Sequence, residues 1–456
     1  MKSNGNRKIV LFVATMGSFL APFMGSSINI ALPSIGREFA MDAILLSWVA
    51  TAYLLAAAVF TVPLGRVADI YGRKKIFTYG IVIYTVSSLL LAMSTSATML
   101  ISLRVLEGIG GAMIFGTGIA MLTSVFPPGE RGRALGINVA AVYLGLSLGP
   151  FIGGILTQHF GWRSIFLVTV PLGLIVIVFI LWKLKGEWAE AKGDKFDLSG
   201  SIIYGITLVA LIYGLSLLPA MSGIWSIIIG IIGIWIFIKW ETKMRSPVLH
   251  MELFKNNTVF VFSNLAALIN YSATFAVAFL LSLYLQYTKG LDPQSAGLIL
   301  VSMPATQAIL SPVAGRLSDR VEPRILASVG MGITAIGLIL LTFLAQNTTI
   351  EFVLASLIVL GFGFALFSSP NTNAVMSCVE KRSYGVASAT LATMRQVGMM
   401  LSMGIAMVIF SIYIGRVEIT PEYYSAFVSG LKIAFVIFAV LCFAGIFASL
   451  ARGKLR

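Results

Sequence analysis

Apolar residues run along this chain in long unbroken stretches, separated by short polar segments that recur at the spacing of one membrane crossing each. Because the stretches stay apolar over roughly 20 residues, where a barrel strand would alternate apolar and polar, they predict helices that span a bilayer. The predicted spans are 9–32, 43–64, 76–94, 97–122, 133–157, 163–183, 198–218, 222–240, 258–286, 294–313, 325–345, 351–375, 384–414 and 430–451. That makes about fourteen helices, with ends placed to within a few residues. The first stretch is too long for the core of a signal peptide, contains Pro22 and lacks a small-residue cleavage site, so it is expected to stay in the mature protein.

Composition agrees with the pattern. The 456 residues are 58% hydrophobic and only 11% charged, which leaves too little polar surface to cover a water-soluble fold of this length. The fold class is therefore an all-α polytopic membrane protein. Orientation follows from lysine and arginine, which concentrate on the cytoplasmic side. Placing the N-terminus inside leaves Arg37, Arg163, Lys289, Arg416 and Lys432 outside and Arg104 and Arg395 within the membrane, and assigns every other basic residue to the inner face. Both termini are then cytoplasmic in a multi-pass protein of the cell membrane. The net charge of +14 is spread over many inner segments, so it marks topology and not a nucleic-acid surface.

Between spans 2 and 3 lies the most structured polar segment, Gly65-Arg66-Val67-Ala68-Asp69-Ile70-Tyr71-Gly72-Arg73-Lys74-Lys75. Its glycines permit close backbone approach, Asp69 sits where it can accept from backbone N–H groups at the next helix start, and the basic cluster holds the turn inside. The signature returns in the second half as Gly315-Arg316-Leu317-Ser318-Asp319-Arg320, again between two apolar runs. Any short inner loop tends to be basic, but the repeated Gly-Arg-x-x-Asp spacing points to a chain that contains its own half twice.

This hairpin and its repeat resemble the major facilitator superfamily of secondary transporters. The resemblance implies two six-helix bundles related by an axis along the membrane normal, with a substrate site near the midplane between them. The charge-mixed stretch from Lys183 to Asp197 reads as the linker between halves, and spans 7 and 8, nearly free of polar side chains, read as an extra structural or lipid-facing pair. The expected division is residues 1–185, 186–255 and 256–456: a first bundle, a linker with two additional helices, and a second bundle. Gly65, Asp69, Gly72, Arg73, Gly315 and Asp319 would act in the conformational change.

Span 5 carries Gly145-Leu146-Ser147-Leu148-Gly149-Pro150-Phe151-Ile152-Gly153-Gly154. Gly145, Gly149 and Gly153 fall on one stripe against which another helix can pack closely, and Pro150 bends the helix there. The run resembles the span 5 motif of fourteen-span drug:proton antiporters, in which it is associated with export and with sealing the outward gate. Gly161-Trp162-Arg163 through Pro171-Leu172-Gly173 is similar to the start of span 6 in that family, and Ala387-Ser388 through Arg395-Gln396-Val397-Gly398 is similar to its span 13. One position departs. Aligned on Asn29-Ile30-Ala31-Leu32-Pro33, Met24 stands where the family usually has an aspartate, which puts cation recognition in doubt.

Ionisable residues at membrane depth are few: Arg104 and Glu107 in span 4 and Arg395 in span 13. Such residues are costly in lipid and mostly face a cavity or a partner. Leu103-Arg104-Val105-Leu106-Glu107-Gly108-Ile109-Gly110-Gly111 resembles the family's span 4 motif, whose arginine is linked to proton coupling, although a glutamine is commoner at the position of Glu107. At spacing i, i+3 the two groups share a helix face, so they form either a self-neutralising pair that helps the helix insert or a proton site in which Glu107 titrates beside Arg104. Asn264, Asn270, Gln307, Asn371, Arg395 and Gln396 are candidates to line a substrate cavity, alongside Gln286 and Asn373; each can instead simply bond a neighbouring helix. The two histidines, His159 and His250, fall in loops, and Cys378 and Cys442 lie in different elements and need no bridge.

No serine–histidine pairing, paired carboxylates, metal-ligand cluster or phosphate-cradling glycine loop occurs. The sequence therefore predicts no enzyme, no metal and no cofactor. Its partners would be a small-molecule substrate, protons and membrane lipids, without nucleic acid, and the working unit a monomer. The expected function is proton-coupled export of amphipathic small molecules by alternating access. A facilitator or symporter for a specific metabolite or organic anion is the alternative, favoured by two intramembrane arginines against one glutamate. A non-transporting membrane sensor, which would call for a long soluble domain, ranks last.

Overall fold

The computed structural model describes residues 2–244, 247, 251–255, 257–318, 320–380 and 384–453. In chain order its helices are α1 (Lys2–Phe39), α2 (Ala43–Tyr71), α3 (Arg73–Ala92), α4 (Ala97–Val125), α5 (Pro128–Phe160), α6 (Arg163–Lys183), α7 (Leu198–Leu217), α8 (Met221–Glu241), α9 (Thr258–Leu283), α10 (Pro293–Leu300), α11 (Ser302–Ser318), α12 (Pro323–Leu341), α13 (Ile350–Ser377), α14 (Tyr384–Tyr413) and α15 (Tyr424–Ala451). Among the described residues, 14 helical segments are long and apolar enough to cross a membrane. The tenth crossing comprises α10 and α11, interrupted at Val301.

Starts of helices are fixed by short polar side chains that accept from otherwise unpaired N–H groups. Asp42 caps α2, Ser96 caps α4, Asp197 caps α7, Asn257 caps α9 and Asp292 caps α10. Two differences from the sequence reading have local causes. The first helix does not stop before Pro33 but continues to Phe39 with Pro22 and Pro33 inside it, because close packing on α5 supports the flanking turns. The ninth ends in a π-helical turn, Tyr284–Thr288, which brings Gln286 against the first half.

Within the first six helices α1 lies along α5, α2 and α3 pack on α4, and α3 also meets α6. Later in the chain α12 pairs with α13 and α15, α9 with α14 and α15, and α11 with α13. The hairpin of α7 and α8 sits beside both groups: Tyr204, Leu208 and Ile212 of α7 and Phe237 of α8 form one apolar cluster with Leu55 and Ala58 of α2 and Met400 and Met407 of α14. Outward-facing positions are apolar too, as at Ile229, Ile231 and Trp235 of α8, which suits a lipid surround and would be unsuitable in water.

The end of the molecule that carries the Gly65–Lys75 hairpin, the start of α1 and the end of α15 is here termed the hairpin face, and the other the opposite face. The two groups of helices are joined at the opposite face. Ser282 donates to the Asn29 carbonyl at 2.6 Å, Gln286 to the Ile30 carbonyl at 2.9 Å, and His159 meets Gln294 at 3.0 Å. The Ala43 N–H donates to the Val417 carbonyl at 3.2 Å. Deeper in, Gly25 of α1 and, toward the hairpin face, Gly65 of α2 and Gly132 and Gly136 of α5 have no atom within 4 Å of where a Cβ would stand. The Ser282, Gln286, His159 and Ala43 bonds tie the two groups together at the opposite face.

Candidate functional site

A polar group forms where α14 passes the middle of the molecule. Arg395 and Gln396 are both half-buried there. The Arg395 guanidinium donates to the Thr372 hydroxyl of α13 at 2.6 Å and lies 5.5 Å from the centre of the Tyr271 ring of α9. Its Nε is buried and, among the described residues, has no hydrogen-bond partner. Gln396 reaches the other way, donating to the Thr61 hydroxyl of α2 at 3.2 Å, while its own oxygen has no partner among the described residues. Tyr143 of α5 and Ser368 of α13 are the further polar neighbours of Tyr271. Helices of both halves therefore contribute to one mid-depth polar surface, and Thr61, Tyr143, Tyr271 and Thr372 are members that the sequence reading did not single out.

Arg104 and Glu107 form an ion pair about two to three turns into α4. Their side chains are 1% and 0% exposed. The Arg104 Nε donates to the Val49 carbonyl of α2 at 2.9 Å, its plane stands 4.6 Å from the Tyr53 ring centre, and the second Glu107 oxygen accepts from the Ser88 hydroxyl of α3 at 3.2 Å. Glycines make this enclosure possible. A Cβ at Gly108 would stand 2.5 Å from the Tyr53 carbonyl, one at Gly111 2.6 Å from the Tyr53 hydroxyl, and one at Gly110 2.8 Å from the Tyr84 amide nitrogen. The pair is thus walled in by α2, α3 and α4, apart from the Arg395 group.

Other residues expected to line a cavity lie inside the second half. Asn371 is fully buried, donates to the Ser263 carbonyl at 3.1 Å and accepts from Arg452 at 2.9 Å, so it ties α13 to α9 and to the end of α15. Burial lowers the Arg452 guanidinium to about 10, and its hydrogen bonds to the Ser449 carbonyl and hydroxyl keep it satisfied. Asn264 is buried and donates within its own helix to the Phe260 carbonyl. Asn270 is buried with both amide atoms unpartnered among the described residues, and Gln307 is buried on α11. Asn373 donates to the Ser318 hydroxyl at 3.0 Å.

At the hairpin face the expected role of Asp69 is corrected. Its carboxylate accepts from the Arg73 side chain at 2.8 Å, and the amide at the start of α3, that of Lys74, donates instead to Glu187 at 2.8 Å. The linker after α6 has folded onto the hairpin. Arg73 also pairs with Glu190 and Arg66 with Asp194, each at 2.6 Å. Backbone bonds join Arg73 to Trp188 and Ala191 to Asp69. Gly72 is required by its φ of +122°, and a Cβ there would also displace the Glu187 carboxylate, 2.5 Å away. Gly315 of the second hairpin has the Ser369 hydroxyl 3.1 Å from its Cβ position; Asp319 and His250 lie outside the described residues.

The span 5 glycines meet α1. Cβ atoms at Gly145 and Gly149 would stand 2.7 and 2.8 Å from the Phe19 and Phe23 carbonyls, and one at Gly153 2.8 Å from the Ser27 side chain. Ser27 donates to the Gly149 carbonyl at 2.9 Å. Pro150 turns its carbonyl toward Gly297 of α10, so one seam unites α1, α5 and the second half at the opposite face. Met24 is fully buried beside it.

Comparison with known proteins adds the following. The family model described as Major Facilitator Superfamily matches residues 14–238 and 264–454. The chain is 29% identical over 441 residues to the riboflavin transporter RibZ of Clostridioides difficile (strain 630), covering 96% of each. It is 29% identical over 403 residues to the multidrug resistance protein Stp of Mycobacterium tuberculosis (strain CDC 1551 / Oshkosh), covering 87% of this chain and 74% of that one. Among solved structures, a bacterial homologue of the human lysosomal transporter Spinster, inward-facing and unoccupied, gives a TM-score of 0.68 at 18% identity over 98% of this chain and 97% of that chain. A peptide transporter POT in complex with alafosfalin gives 0.70 at 15% identity over 95% and 93%. These likenesses extend over nearly the whole fold.

Proposed function

The chain belongs to the major facilitator superfamily, a transporter family, and on that premise we propose that it is a proton-coupled antiporter exporting amphipathic small molecules across the cell membrane. The hairpin face is cytoplasmic in this reading, as are both termini, and a monomer alternates access by rocking residues 1–185 against 256–456 with α7 and α8 alongside. The observation that carries it is Glu107, a carboxylate enclosed at membrane depth with Arg104 as its counter-ion. With the space open to the cytoplasm, Glu107 is charged and paired, and substrate enters at the Arg395 surface. After reorientation, a proton from outside neutralises Glu107 as substrate leaves, and Arg104 loses its anionic partner against α2. Release of that proton inside restores the pair. One proton moving inward across about 100 mV supplies about 2.3 kcal/mol, enough for roughly a 50-fold substrate gradient. Relatives named as a multidrug resistance protein and a riboflavin transporter support small-molecule cargo without fixing which.

Arg395, which pairs with no acidic side chain among the described residues, favours a second reading, a facilitator for an organic anion. Everted membrane vesicles decide between them. Energised vesicles containing the protein should accumulate substrate, and a protonophore should abolish the accumulation. Equilibration to equal concentrations that is indifferent to the protonophore would establish the facilitator.

A further inference from the structure

Charges at the middle of the molecule do not cancel. Arg104 is neutralised by Glu107 inside the first half, the span 1 position that could offer a carboxylate is Met24, and no acidic side chain among the described residues forms an ion pair with Arg395. Arg395 is nonetheless only partly buried at mid-depth, with one bond to a neutral hydroxyl and a buried Nε that has no partner among the described residues. A guanidinium offers five donors in a planar fork that fits a carboxylate, sulfonate or phosphate. The Tyr271 ring beside it, packed edge to face with Phe364, provides an aromatic wall next to the charge.

Resting on the placement of substrate between the two halves, we propose that Arg395 and Tyr271 form a subsite for the anionic group of a flat aromatic substrate, so that this transporter selects organic anions over lipophilic cations. The anion completes the coordination of Arg395, and the ring lies against Tyr271. A cation entering the same space meets an uncompensated positive charge and is disfavoured. Gln396, the next residue, holds Thr61 of the other half, so the subsite lies one residue from a bond that bridges the halves.

Dye binding to the purified full-length protein tests this, using fluorescein as planar anion, ethidium as planar cation and riboflavin as neutral ring, followed by fluorescence anisotropy in neutral detergent. Fluorescein should bind the native protein about tenfold more tightly than ethidium, one charge-assisted pair being worth that much. R395Q should weaken fluorescein about tenfold and change riboflavin less than about threefold, while R395K, which keeps the charge and loses the planar fork, should fall between the native protein and R395Q. Elution of both variants as monodisperse species establishes that they fold. Tighter ethidium binding, unchanged fluorescein binding in R395Q, or no fluorescein binding to the native protein overturns the proposal. Displacement of fluorescein by added phosphatidylglycerol overturns it too, assigning Arg395 to a lipid phosphate. Arg395-dependent anion binding without proton-coupled transport would refute the exporter and keep the subsite, whereas coupled transport of cations would do the reverse.

Discussion

Arg104 and Glu107 show how much of a buried pair can be read from a sequence. Their i, i+3 spacing on an apolar helix places them on one face, and the structure pairs them. The neighbours that complete the site, Val49, Tyr53 and Ser88, come from other helices, and no periodicity within span 4 can name them. For the same reason Asn371, which sequence assigns to a cavity, spends its amide on Ser263 and Arg452. Removing one member of a buried ion pair leaves an unpaired charge and costs about 3–5 kcal/mol, while removing both costs much less. Arg104→Leu should therefore lower the thermal midpoint in detergent markedly, and Arg104→Leu with Glu107→Leu should recover most of it. Equal loss in single and double variants would show that the pair contributes through packing alone.

Among the elements, the fourteen crossings were legible from hydropathy, and the glycine stripe of span 5 announced a close seam whose partner, α1, only the structure identifies. Gly149→Val should jam that seam, since even its Cβ would crowd the Phe23 carbonyl at 2.8 Å. Overpacking of this kind costs about 1–3 kcal/mol, visible as a lower melting temperature and slower turnover; a variant that melts and transports like the native protein would mean that α1 can shift freely. The linker was legible only as a mixed-charge stretch, because its fit to the hairpin depends on Arg73, Arg66 and Gly72 far away in sequence. Burial tends to raise the Glu190 carboxyl, but hydrogen bonding and charge from Arg73, with help from Ser124, hold it below the usual range. A depressed carboxyl stabilises the docked linker above its ordinary titration range and ceases to do so as pH falls through the lowered value. Hydrogen exchange of the linker amides, corrected for intrinsic rate, should stay flat from about pH 8 to 5 and rise only below about pH 4. A rise near neutrality would remove Glu190 as the anchor.

Taken whole, the molecule is held together at the opposite face by contacts such as His159 with Gln294. Alternation of access requires these contacts to part. His159→Cys with Gln294→Cys, in a background of Cys378→Ser and Cys442→Ser, should be joined by a short bis-methanethiosulfonate cross-linker, which stops transport until reduced. Undiminished transport by the cross-linked protein would exclude rocking about this closure. The most direct measurement of the account as a whole uses purified protein in liposomes with an imposed pH gradient, recording proton flux and substrate flux together for the native chain and Glu107→Gln. The account predicts that substrate drives proton movement in the native protein and that Glu107→Gln, folded to the same degree, abolishes proton movement and accumulation while still exchanging substrate. Substrate transport without proton movement in the native protein, or normal coupling in Glu107→Gln, would contradict it.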